Sequence, residues 1–373
     1  MKKRLNILFS TTRYWNVWDE FIMRWIENLL NEIWVKYNKI IYNRNQEVNW
    51  WFEFLNPLRW NFWDRYSDTI WFQFLNAFIK LGFFDNSFAY KYYNKFKNNI
   101  EYVIWAGSPE WAGYRSKILF NLINKENISW LMLWIWEAWY PWNKWKKWII
   151  EGVKKQKLII LRNPEDYENF RKLNKNTFQL SCPALFSALE NEEKWKINEI
   201  KSIGCTFSFP SSSSSHSVKN EIFEKYISFI KFLKNNYPNL RLYAVFHHIK
   251  DLVLFNSDYN YLKDLFIDTY YSGDREDYFN FYKDFDIVIS TRVHWNGIAS
   301  SLLIPNIAFT HDKRWSTVMW FWSYTYDNDN NTLDHFKRII NNPSHFQEQL
   351  KNLKKSQKSN RLDLLSNVFS NEK

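Results

Sequence analysis

Arg292 and His294 are the residues through which this chain could do chemistry, with Val293 between them and Ser290-Thr291 just ahead. A guanidinium is planar, permanently charged and able to grip a carboxylate or phosphate through two parallel hydrogen bonds. An imidazole titrating near neutrality can give or take a proton at physiological pH. An anion clamp beside a proton donor suits group transfer from an anionic donor. The same two residues would also serve as a surface ion pair and a helix cap, and by themselves they leave both uses open. Their surroundings are more specific. Ile287–Ile289 is a short apolar β-branched run, the pattern of a buried strand. Trp295–Leu303 has helical length, Ile304-Pro305-Asn306 breaks it, and Ile307–Phe309 predicts the next strand. Arg292 and His294 thus fall between a strand's C-terminal end and a helix start, where open α/β sheets bind ligands.

Other strand ends carry further candidates. Leu5–Phe9 predicts a first strand and Asp19–Ile33 the helix after it. Asp19 and Glu20 at its start suit the positive end of the helix dipole, and equally a bound substrate. Tyr102–Ala106 predicts a strand followed by Gly107-Ser108-Pro109-Glu110, where Ser108 could hydrogen-bond a ligand or close an ordinary turn. Leu240–Phe246 predicts a strand ending in His247-His248; with no third ligand at a known spacing, no metal is expected. His311 follows the strand at Ile307–Phe309.

Strands alternate with helices along the chain, which predicts α/β architecture with parallel sheets. The charged stretch Glu190–Lys201 predicts a link between an N-terminal Rossmann-like domain (1–190) and a C-terminal one (200–345), with a final helix and tail at 346–373. Residues 45–100 are rich in aromatics and Asn with poor periodicity, and predict short helices and a loop. Ser211–Ser215 predicts a flexible loop.

The chain has 373 residues and a net charge of +11, with a sequence pI of about 9.3. Its Lys residues are scattered, so the charge predicts a solvated surface rather than a nucleic-acid arm. A peripheral membrane contact stays open. Cys182 and Cys205 have no metal-ligand spacing and predict buried thiols. The apolar stretch behind Met1-Lys2-Lys3-Arg4 is too short for a signal peptide. Glu137, Pro141 and several Lys interrupt residues 129–150, so no membrane span is expected there. These features predict a soluble, cytoplasmic protein.

Composition is abnormal in one respect: 23 Trp and only 7 Gly. Ordinary usage gives about 26 Gly in a chain this long, and the shortfall is close to the surplus of Trp. Abundant Lys, Asn, Ile, Phe and Tyr point to an AT-rich gene, in which the UGG codon should be scarce. The turn Tyr14-Trp15-Asn16-Val17-Trp18-Asp19-Glu20 sits between a strand and a helix, where tight geometry calls for glycine. The expectation is that UGA encodes Gly in this gene and has been rendered here as Trp, at positions 15, 18 and 295 among others.

With Gly at those positions, the two stretches read Y-G-N-V-G-D-E and S-T-R-V-H-G. This chain then resembles the polysaccharide pyruvyl transferase family, in its N-terminal G-N-x-G-D-E signature and its C-terminal S-x-R-x-H-G turn. Trp295 is the departure from the second pattern. The resemblance implies two Rossmann-like domains facing a cleft in a glycosyltransferase-B-like (GT-B) arrangement. It implies transfer of pyruvyl from phosphoenolpyruvate to sugar hydroxyls of a cell-surface glycan or lipid-linked precursor, with no further cofactor. His294 would be the general acid and Arg292 the anion clamp. Asn16, Asp19, Glu20, Ser108, His248 and Ser290 would contact substrate. The alternatives are a nucleotide-sugar glycosyltransferase of the same architecture and a non-catalytic carbohydrate-binding protein.

Overall fold

The computed structural model describes residues 4–11, 17–43, 100–105, 124, 128–135, 147–210, 218–247, 249–272, 275–310 and 315–370. By contact the chain divides into two units, Met1–Met23 with Trp34–Gln179 and Val368–Lys373, and Arg24–Ile33 with Leu180–Asn367.

In the first unit the strands are β1 (Leu5–Thr11), β2 (Tyr37–Asn43), β3 (Tyr102–Trp105), β4 (Ser129–Ile135), β5 (Leu158–Leu161) and β6 (Thr177–Gln179). They lie in the order β2-β1-β3-β4-β5-β6, every pairing parallel. Strands of such sheets are apolar on both faces because helices cover both, and β3 and β5 are buried along their whole length. Helix α1 (Val17–Glu32) follows β1, α2 (Lys147–Lys154) precedes β5, and α3 (Pro164–Arg171) follows it. Pro164 opens α3, where its missing N–H has no intrahelical role. The elements expected within 45–99, and the serine run 211–215, lie outside the described residues.

The second unit holds β7 (Ser202–Thr206), β8 (Arg241–Phe246), β9 (Asp268–Tyr271), β10 (Ile287–Ser290), β11 (Asn306–Ala308) and β12 (Tyr324–Thr325). Their order is β12-β11-β10-β7-β8-β9, again all parallel. The chain runs outward from β7 through β8 to β9, then returns to the other side of β7 with β10. The β7/β10 pair, in register from Ile203↔Ile287 to Thr206↔Ser290, is therefore the point where strand order reverses. Helices α4 (Asn220–Asn236), α5 (Ile249–Ser257), α6 (Arg275–Lys283) and α7 (Val293–Ser301) connect the strands; α8 (Asp329–Asn341) and α9 (Pro343–Phe369) follow β12. Phe207 anchors the core, with the rings of Phe209, Tyr226, Phe246, Phe255 and Phe266 at 5.3–5.9 Å. Each such buried aromatic contributes about 1.5–3 kcal/mol. Gly204 lets β7 pass beneath Phe285, whose ring would meet an added Cβ at 2.5 Å.

The boundary differs from the one expected near residue 190. The main segment of the second unit begins at Leu180. The charged stretch is tied to the second unit: Lys194 donates from its backbone to Leu302 O (2.9 Å) and from its ammonium to Phe285 O (2.6 Å) and Asp286 (2.7 Å). Helix α9 packs back on the second unit. Lys354, 6% exposed, donates to Ala188 O, Ser301 O and Glu193. These bonds tie α9 to the end of α7.

Positive φ is found at three non-glycine residues among those described: Trp34 (60°), Leu303 (63°) and Trp322 (54°). Left-handed backbone costs an L-residue about 1–2 kcal/mol, and past a helix end glycine normally takes it. Trp34 stands two residues beyond α1 and is 83% exposed, so packing does not repay the strain. Cys182 and Cys205 are buried free thiols. Among the described residues no helix is long and apolar enough to cross a membrane.

Candidate functional site

Residues at the C-terminal ends of β7 and β10 build a site from the turn upward. Ser290 is fully buried. Its hydroxyl accepts from Thr206 Oγ1 (2.5 Å) and from the Arg292 backbone N–H (2.9 Å), and donates to Arg292 O (2.7 Å). The residue expected to contact substrate is thus engaged in shaping the turn. Tyr226 donates to Thr206 O (2.8 Å) beneath it. The turn places Arg292 as the N-cap of α7 with extended backbone (φ −119°, ψ 125°) and no side-chain cap. The positive end of the α7 dipole favours an anion there.

Arg292 is fixed by Asp251, in the first turn of α5. Arg292 Nη2 donates to Asp251 Oδ2 at 2.8 Å; the carboxylate side chain is 1% exposed and the guanidinium 22%. A carboxylate this deeply buried requires its cation. Asp251 Oδ1 and Arg292 Nε are buried without a hydrogen-bond partner. His247, at the end of β8, shares their environment. Burial first, then the charge of Arg292, holds its imidazole well below the usual histidine range, so it is neutral. Its Nε2 meets the Tyr282 hydroxyl at 3.2 Å, while Nδ1 is buried and unpartnered. Tyr278 donates to Phe246 O and to Ser272 O, both at 2.7 Å. Burial pushes both tyrosine hydroxyls up, so they remain protonated donors.

Trp295 fits this setting poorly. Its ring centroid lies 2.9 Å from that of His247 at an interplanar angle of 13°. Stacked carbon atoms rest at about 3.5–4.0 Å, so the indole presses into the imidazole. Two residues on, Gly297 lies against Ala184 and Phe321, where an added Cβ would overlap Ala184 Cβ.

His294 is half-buried in the first turn of α7, close in sequence to Arg292 as expected. Asp19 and Glu20 lie in the first turn of α1, which starts two residues earlier than the sequence predicts; their side chains fall outside the described residues. Asn16, Ser108, His248 and His311 also lie outside them. Among the described residues no three His, Cys, Asp or Glu side chains gather as a metal set. One contributor was not assigned from the sequence, Asp251 as the partner of Arg292; of the His247-His248 pair, His247 is the described imidazole beside the clamp.

No family model matches the chain, and no curated protein does. Solved structures do. A UDP-GlcNAc 2-epimerase from Neisseria meningitidis, bound to UDP-GlcNAc, superposes with a TM-score of 0.59 at 11% identity, covering 97% of this chain and 99% of its own. A putative UDP-N-acetylglucosamine 2-epimerase from Listeria monocytogenes gives 0.53 at 9% identity over 93% and 91%. An O-GlcNAc transferase from Thermobaculum terrenum gives 0.50 at 12% identity, over 100% of this chain and 68% of that one. The fold is GT-B-like. At these identities the likeness fixes architecture alone.

Proposed function

We propose that this chain is a sugar- or glycan-modifying transferase that holds a phosphate-bearing donor at the N-terminus of α7. Arg292 is the clamp and His294 the proton donor. The observation that carries the proposal is the Arg292–Asp251 pair, which fixes a guanidinium at the N-cap of the helix leaving the switch-point strand. Asp251 orients the guanidinium and leaves its remaining N–H groups for an anion.

A nucleotide sugar is the first donor to consider. It is supported by the architecture shared with an epimerase whose structure contains UDP-GlcNAc and with an O-GlcNAc transferase. Phosphoenolpyruvate is the second, supported by Ser290-x-Arg292-x-His294 and the family resemblance it carries. In that reaction the donor's methylene carbon takes a proton from His294, two sugar hydroxyls in turn attack the oxocarbenium-like carbon as its bond to phosphate breaks, and of their two protons one returns to His294 and the other leaves on the phosphate. Product analysis separates the two: release of UDP from UDP-sugars, or of inorganic phosphate from phosphoenolpyruvate, each with a panel of glycan acceptors. Release of neither, from a folded protein, overturns the proposal.

We also infer that tryptophan stands in place of glycine at positions 15, 18 and 295. The overlap of Trp295 with His247 and the left-handed backbone at Trp34 and Trp322 support this. Peptide mass spectrometry of the native protein tests it, and authentic Trp at 15, 18 and 295 overturns it.

A further inference from the structure

We propose that the space filled by the Trp295 indole is a ligand subsite for a flat conjugated group bearing carbonyl or carboxylate oxygens. This rests on the donor-binding role proposed above and assigns one end of the donor to a place. Three aromatic side chains wall the space. His247 lies parallel to the indole, Tyr282 is inclined by 27° at 6.2 Å, and Tyr278 by 41° at 5.6 Å. The walls are held from behind. The Tyr282 hydroxyl meets His247 Nε2, and the Tyr278 hydroxyl is bound by Phe246 O and Ser272 O. A slot with fixed aromatic walls accepts a planar group at little cost in ordering.

The polar groups around it are incomplete in a way a ligand would complete. His247 Nδ1, Asp251 Oδ1 and Arg292 Nε are all buried and all without partners, on residues 8%, 1% and 22% exposed. Each such atom costs about 1–3 kcal/mol when left unsatisfied. Structures tolerate such atoms where a ligand supplies the missing bonds. Of the three, the donors Arg292 Nε–H and His247 Nδ1–H call for an acceptor, which the indole, whose one polar atom is a donor, does not offer. It is also too bulky, as its 2.9 Å approach to the imidazole shows. A single ring or a planar three-carbon acid is smaller, and its oxygens accept from Arg292 Nε and from His247 in its Nδ1–H tautomer. Two donors carry such a group: a nucleotide sugar in its pyrimidine base, and phosphoenolpyruvate in its enol carboxylate.

The test opens the slot and then refills it. Trp295→Gly removes the indole; Trp295→Ala opens nearly the same space with better helix propensity. UDP, phosphoenolpyruvate and free indole are titrated calorimetrically into both variants and the parent chain. The expected result is that both variants bind indole and one donor, the donor at least tenfold more tightly than the parent does. Saturating indole then weakens donor binding at least tenfold. UDP as the ligand assigns the slot to a base, and phosphoenolpyruvate assigns it to an enol carboxylate. If a donor binds with its affinity unchanged by indole, the subsite is wrong while the donor-binding role stands. If indole binds and neither donor does, both fall. If neither folded variant binds indole, the slot does not exist as described.

Discussion

Neutral His247 makes the second unit acid-sensitive in a calculable way. Its ordinary pKa is about 6.5 in the unfolded chain, and burial beside Arg292 depresses it in the folded one. Below pH 6.5 the unfolded state therefore binds the extra proton, and stability falls as pH falls; above pH 6.5 the contribution is flat. Each unit costs about 1.4 kcal/mol while the folded imidazole stays neutral, so moving from pH 7 to pH 5 removes about 2 kcal/mol. His247→Gln places an amide near the Tyr282 hydroxyl and cannot titrate. Urea unfolding at both pH values, for parent and variant, isolates the effect. His335, pushed down to about 4 by burial and Arg338, shifts in both proteins and cancels in the difference. The parent should lose about 2 kcal/mol more than the variant. Equal losses would show that His247 is not the buried neutral group described, and the reasoning would fail.

Asp251→Ala strands the guanidinium of Arg292; because that side chain keeps 22% exposure, the cost should be about 2–3 kcal/mol, below that of a fully buried pair. Urea unfolding reads it, and a loss under about 0.5 kcal/mol would mark the pair as an ordinary surface one. Trp34→Gly relieves about 1–2 kcal/mol of left-handed strain and adds about 0.4–1 kcal/mol of unfolded-chain entropy. A net gain of about 0.5–1 kcal/mol in thermal stability is expected, and destabilisation contradicts the account of that residue. His294→Ala should leave donor affinity in place while turnover drops by about 10²–10⁴-fold; near-normal turnover would pass the acid role to another histidine.

Much of the fold was legible because parallel strands announce themselves. Leu158–Leu161, Ser202–Thr206 and Ile287–Ser290 are short apolar or β-branched runs, and each is buried from end to end. The helix after Arg292 was legible too, from its small residues and the Ile304-Pro305 break. Helix α5 was not. Leu252, Val253, Leu254 and Phe255 are consecutive apolar residues with no helical stripe, although only Phe255 among them is fully buried. With α5 unseen, Asp251 had no visible route to Arg292, forty-one residues away. The boundary was misplaced for a related reason. The charges in 190–201 read as a link between domains, but Lys194 and Glu193 have partners on distant segments, Asp286 and Lys354. Charge pattern along a chain does not disclose pairings of that range. Trp295 was legible as a misfit with its motif; the structure adds what it collides with.

The central claim is that Arg292, at the head of α7, holds the donor's anion. Its most direct test is donor affinity measured by calorimetry in Trp295→Gly protein, with and without Arg292→Lys. Lysine keeps the charge but loses the bidentate fork, so the account predicts at least a tenfold weaker affinity for whichever of UDP or phosphoenolpyruvate binds. Equal affinity in the two proteins would place the anion elsewhere and contradict it.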